Sequence, residues 1–156
     1  MTTIETRRRA LGERLPDDLA VEAARLHTLL EVAFLTAAAD GHLADDEIRN
    51  LTANLQAWLH ADLDDDFFVE TFANLAQLLA QQGAAARLAH AAALLDDESR
   101  RVAYTLACVT ALCDLEVHDA ELAFLGTIAD AFAIPEAEAQ AMFDELEDMV
   151  DALAST

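Results

Sequence analysis

Lysine is absent from this 156-residue chain, and glycine (four), proline (two), cysteine (two), tryptophan (one) and tyrosine (one) are scarce. So few turn formers and so few β-favouring aromatics leave little material for a sheet with many tight turns. Cys108 and Cys113 form no C-x-x-C motif, and the scattered histidines complete no zinc pattern. Five residues apart on a helix, the two thiols point about 140° away from each other, so they read as small buried hydrophobes in a reducing compartment. No apolar stretch runs to the roughly 18 residues of a membrane span. The first residues place Arg7-Arg8-Arg9 ahead of no apolar core, so a secretory signal is not expected and a cytoplasmic location is. Serine occurs only at Ser99 and Ser155. There is no nucleophile elbow, Gly-rich phosphate loop or H-E-x-x-H, and an enzyme is not expected.

What is present is apolar and acidic. Hydrophobic residues make up 54% of the chain, with Ala and Leu dominant, which supports a packed helical globule. Thirty acids against nine Arg give a net charge of −21, a field that repels phosphate backbones and excludes nucleic acid as a partner. Four of the arginines (Arg7, Arg8, Arg9 and Arg14) fall within residues 1–15, a basic N-terminal arm attached to a single acidic domain, 16–156.

Apolar residues at helical spacing predict seven or eight helices. Pro16-Asp17-Asp18 opens the first long one, with Val21, Leu26, Leu30, Ala33, Phe34 and Ala37 inward, and Asp40-Gly41 ends it. Ile48, Leu51, Leu55 and Trp58 mark the next. Phe68, Phe72 and Leu75 mark a third that Gly83 breaks, and an Ala-rich stretch makes a short fourth. Asp96-Asp97-Glu98 starts a helix bearing Val102, Leu106, Val109 and Cys113, with Ser99 as a cap. Two more follow through Leu122, Leu125, Ile128 and Phe132 and through Met142, Phe143, Leu146 and Val150.

Sliding the sequence by 74 positions lays residues 32–51 over 106–125. Ala33/Ala107, Thr36/Thr110, Ala37/Ala111, Asp40/Asp114, Asp45/Asp119, Glu47/Glu121 and Leu51/Leu125 are then identical. Three of these identities are carboxylates, which an Ala- and Leu-rich composition does not tend to align. A duplicated helix–acidic turn–helix unit follows, with repeats about 18–95 and 96–153 and an internal pseudo-twofold.

At each bend an Asp ends one helix and a Glu sits in the first turn of the next, so Asp40 and Glu47, and again Asp114 and Glu121, can converge across the turn. Oxygen ligands of this kind suit Ca²⁺, Mg²⁺ or Mn²⁺. Helix capping is the competing reading, because acids in a first turn are stabilising in any case. Ala44 and His118 would then be the caps, and neither is a preferred capping residue. The spacing is too short for an EF-hand loop. His42 and His118 lie inside the turns as auxiliary ligands or surface groups.

The stretch Leu35–Glu47, with Asp40-Gly41-His42-Leu43-Ala44-Asp45-Asp46-Glu47 at its end, resembles the signature turn of the tellurite-resistance TerB family, and Cys113–Glu121 resembles its partner. A related module opens a membrane-anchored DnaJ-like co-chaperone. The resemblance covers roughly residues 20–153, and its specific content is the two turns. Leu115 departs from it, standing where the first turn has Gly41. The resemblance implies a compact all-α bundle with an internal repeat and a divalent-cation site at Asp40, Glu47, Asp114 and Glu121, with no organic cofactor. It also implies a non-enzymatic interaction module of a stress-response system. The partner is then a protein or a membrane-associated complex at the inner face of the membrane. A metal-free acidic scaffold is the alternative.

Overall fold

The computed structural model describes residues 4–39, 43–113 and 119–154. Among them are eight α-helices and no strand: α1 (Ile4–Gly12), α2 (Ala23–Ala37), α3 (Asp45–Trp58), α4 (Asp65–Gln82), α5 (Ala84–Leu94), α6 (Asp97–Cys113), α7 (Asp119–Ala131) and α8 (Glu136–Ala154). The expected all-α bundle is what the chain forms.

Helices α2 and α6 lie at the centre and make the most extensive contact in the molecule. Leu29, Leu30, Val32 and Ala33 on α2 and Leu106, Ala107, Cys108 and Val109 on α6 are all fully buried. A helix apolar all round is one enclosed by others, and these two form the axle of the bundle.

The surrounding contacts come in matched pairs. Helix α1 packs on α6 as α5 packs on α2; α1 meets α3 as α5 meets α7; α1 touches α8 as α5 touches α4; α2 meets α4 as α6 meets α8. With α1–α4 set against α5–α8, these contacts pair as across a two-fold interface, whereas α7 on α8 and α2 on α7 have no counterpart of similar extent. Corresponding residues also have like surroundings. The Thr36 hydroxyl donates to the Val32 carbonyl at 2.8 Å and the Thr110 hydroxyl to the Leu106 carbonyl at 2.7 Å, although this back-bond is one that Thr28, Thr52, Thr105 and Thr127 make as well. Leu51 and Leu125 are buried alike.

Local chemistry sets the helix ends. The Asp64 carboxylate accepts from the Phe67 N–H at 2.9 Å and caps α4, and Gly83, at φ 85°, separates α4 from α5. At the start of α6 the cap is Asp96, whose carboxylate accepts from the Ser99 N–H at 2.8 Å, rather than Ser99 itself. The backbone N–H of Ser99, with its hydroxyl next, holds the Asp96 carboxyl below its ordinary range.

Two expectations are corrected. The first long helix begins at Ala23, not at Pro16-Asp17-Asp18. Residues 17–20 form a turn in which the Val21 N–H donates to the Asp18 carbonyl at 3.2 Å; this drives Leu19 into the core and leaves Val21 82% exposed. On α7, Leu122 faces outward, and the acid beside it, Glu121, takes the buried position.

Segment 1–15 contributes α1, which is integrated into the bundle. The Trp58 indole N–H donates to the Arg8 carbonyl at 2.7 Å, and Leu11 is fully buried. Gly12 lies against the Trp58 ring: a Cβ built there would stand 2.6 Å from its Cδ1. That close approach is what glycine permits at this position. Arg7 donates to the Leu112 carbonyl at 3.1 Å, in the last turn of α6, where a cation complements the helix dipole.

Candidate metal centre between the two acidic turns

Helices α3 and α7 start immediately after the two acidic turns, and both starts face one open pocket of about 330 Å³. Glu47, in the first turn of α3, and Glu121, in the first turn of α7, both line it. Residues separated by 74 positions in the chain therefore line one pocket, beside the contact of α2 with α6. Glu121 is 7% exposed and Glu47 is half-buried.

Asp46, Asn50, Asn54 and Thr110 complete the polar lining, and Ile4 of α1 forms part of the wall. Every side-chain donor atom here capable of holding a cation is oxygen, a hard set suited to Ca²⁺, Mg²⁺ or Mn²⁺ and not to zinc. Asn54 is fixed from behind: its Oδ1 accepts from Arg8 Nε at 2.6 Å and from Cys113 Sγ at 3.4 Å. Arg8 also donates to Asn50 Oδ1 at 3.3 Å, so one guanidinium of α1 backs the asparagine side of the pocket.

The capping alternative makes a geometric demand that Glu47 does not meet. In a capping box the Glu side chain reaches back to the backbone N–H of the cap residue. Ala44 is the cap of α3 and offers no side-chain bond. The hydrogen bond at this start runs from the Glu47 N–H to Asp46 Oδ1, at 3.1 Å. Among the described residues, nothing accepts a proton from or donates one to the Glu47 carboxylate.

Of the four residues expected to form the site, Glu47 and Glu121 are brought together. Asp40 and Asp114 lie outside the described residues, as do Gly41, His42, Leu115, Glu116 and His118. Among the described residues no three Asp, Glu, His or Cys side chains form a ligand group. Asp45 and Asp119 are exposed in the first turns of their helices. Sequence reading missed Asn54 and Asn50. The signal was present: Asn54 interrupts the apolar stripe Leu51, Leu55, Trp58, and a polar residue on a buried stripe marks a place where hydrogen bonds are made.

Comparison with protein-family models, with curated proteins and with solved structures finds no match to this chain. Among the described residues, no helix is long and apolar enough to cross a membrane.

Proposed function

We propose that this chain is a TerB-like, non-enzymatic module that binds a divalent cation between its two acidic turns and uses it to tie the two halves of the bundle together. The observation that carries this reading is the placement of Glu47 and Glu121 on one pocket. Asp40 and Asp114 are the turn residues that would complete the ligand set. A hard cation bridging these carboxylates would relieve the repulsion between like charges and fix the starts of α3 and α7 relative to each other. Helix faces held in that arrangement would engage a protein partner, in a stress response of the tellurite-resistance kind. Tellurite is itself an anion, and a body at −21 does not attract it directly.

The test is thermal unfolding in EDTA and then in Ca²⁺, Mg²⁺, Mn²⁺ and Zn²⁺ at matched ionic strength. A ligand specific to the folded state adds about 2.7 kcal/mol at a hundredfold excess over its Kd. One oxygen-preferring ion should give a saturable rise in Tm that Glu47→Gln plus Glu121→Gln removes, as should Asp40→Asn plus Asp114→Asn. Equal small rises for every divalent ion, unchanged in both double variants, would sink the reading.

A metal-free scaffold is the second reading, and the observation favouring it is Arg8. Its guanidinium, bonded to Asn50 and Asn54, supplies cationic charge beside the pocket without a metal. On that reading Arg8→Gln lowers Tm and no cation restores it.

A further inference from the structure

A second surface shares no lining residue with the pocket of Glu47 and Glu121: a groove of about 630 Å³ between α7 and α8, floored by the buried Tyr104 of α6. Its walls carry Leu122, which is 41% exposed, and the half-buried Phe143. Gly126 lies between them in the interior of α7. Glycine weakens a helix interior relative to alanine, and the fold does not require it here: a Cβ at Gly126 would meet no atom within 4 Å. The glycine keeps the groove open.

The charged residues that line this groove have one sign, and the nearby Arg101 is already paired with Glu138. Asp130 and Glu136 line it, and Asp144 and Glu147 continue the α8 edge at helical spacing. The sequence carries no Lys or Arg beyond Arg101, so α7 and α8 bring no cation of their own. Such a rim repels anionic lipid headgroups, and it repels a second copy of a chain whose net charge is −21. An apolar floor within a carboxylate rim matches a helix with aliphatic side chains on one face and Lys or Arg beside them. We propose that the α7–α8 groove is a docking site for a basic amphipathic helix of a protein partner. Leu122, Phe143 and the space above Gly126 take the apolar side chains, and Asp130 and Glu136 take the cations.

The test uses two labelled peptides of equal length and equal lysine content, read by fluorescence anisotropy. One has Leu at i, i+3, i+4 and i+7 spacing, and the other has Ser at those positions. The wild-type chain should bind the Leu peptide at least about tenfold more tightly than the Ser peptide, a difference that charge alone does not produce. Gly126→Leu fills the groove and should remove that preference while leaving Tm unchanged or raised. Asp130→Asn plus Glu136→Gln, which adds no bulk, should weaken the Leu peptide by about tenfold, so the outcome does not depend on Gly126→Leu folding. Equal binding of the two peptides, or an unchanged Leu-peptide affinity in these variants, would overturn the proposal. So would a wild-type dimer in sedimentation that Gly126→Leu dissociates, because the occupant would then be a second copy. The EDTA and metal series leaves this measurement untouched, so the two proposals fail separately.

Discussion

Arg87 and Glu31 face each other across the α5–α2 contact in a two-pronged ion pair. Arg87 Nε donates to Glu31 Oε2 at 2.7 Å and Arg87 Nη2 to Glu31 Oε1 at 2.8 Å, with side chains only 8% and 3% exposed. Gln82, at the end of α4, accepts from Arg87 Nη1 at 3.2 Å. The hydrogen bonds to Glu31 raise the guanidinium pKa further, against the opposing effect of burial. The pair is buried on both sides, and it is not repeated at the positions 74 away, which are Glu13 and Thr105.

Removing one partner of this pair should be much worse than removing both. Arg87→Met strands a buried carboxylate and should cost about 3–5 kcal/mol. Arg87→Met with Glu31→Leu should recover most of that loss, measured by urea unfolding. A double variant as unstable as the single one would mean that the pair stabilises the fold beyond its own desolvation.

Gly12→Ala should destabilise the protein although alanine is the better helix former. The added methyl meets the Trp58 ring at 2.6 Å, and Trp58 is pinned by its bond to the Arg8 carbonyl. An overpacking loss of about 1–3 kcal/mol is expected, with the extra methyl pushing α1 off α3. Gly12→Ala combined with Trp58→Phe should be less affected by the methyl than Gly12→Ala alone. A gain in Tm for the single variant would show that α1 is not seated on the indole.

Stability should fall in acid through identifiable carboxylates. Arg101 donates to both oxygens of Glu138, tying α6 to α8, and these hydrogen bonds hold the Glu138 carboxyl below its ordinary value of 4.5. Asp96 is held below 3.8 mainly by the Ser99 N–H. A carboxyl depressed in the folded state stabilises above its unfolded pKa, and that contribution is lost as pH falls through the folded value. Tm should hold down to about pH 5 and then decline, and Glu138→Gln should decline less steeply over the same range. Identical slopes would remove the Arg101–Glu138 pair as a cause.

Neither thiol should react in the native protein. Burial pushes the Cys108 thiol up to about 12, only partly offset by its hydrogen bond to Tyr104, and Cys113 is fully buried against Asn54. The thiolate is the reactive form, so a thiol reagent at neutral pH should label both cysteines only on unfolding. Because the Cys108 pKa is raised in the folded state, its contribution to stability is complete below its ordinary value of 9.0 and fades as pH climbs towards 12. Labelling of the native chain without loss of helicity would contradict this packing.

The echo of residues 32–51 in 106–125 was legible because it is written in residues whose positions the fold constrains, but the matched contacts group α1–α4 with α5–α8 and not the expected units 18–95 and 96–153. Ala33 and Ala107 allow α2 and α6 to approach, and Thr36 and Thr110 make the same back-bond. Helical spacing likewise placed α3, α4 and α5 and their buried faces. Spacing failed where two faces of a helix were nearly equally apolar, as on α7, where Leu122 looked as suitable for the core as its neighbours. It also failed at Pro16-Asp17-Asp18, a sequence that suits a turn as well as a helix start. The convergence of Glu47 and Glu121 followed from the repeat, whereas the Arg87–Glu31 pair and the Asn54 network did not. A long-range ion pair leaves no periodic trace, and the arginines gave no sign of which acid each would meet.

The matched contacts of α1 on α6 and of α5 on α2 mean that each half of the chain lends its first helix to the other. Gly83, exposed and between the two sets, is the natural place for a cut. Fragments 1–83 and 84–156 are each left with a naked central helix and a first helix that has lost its seat. They have reason to find one another, and the single chain is an intramolecular version of that embrace, with Gly83 as the joint between two halves that each complete the other.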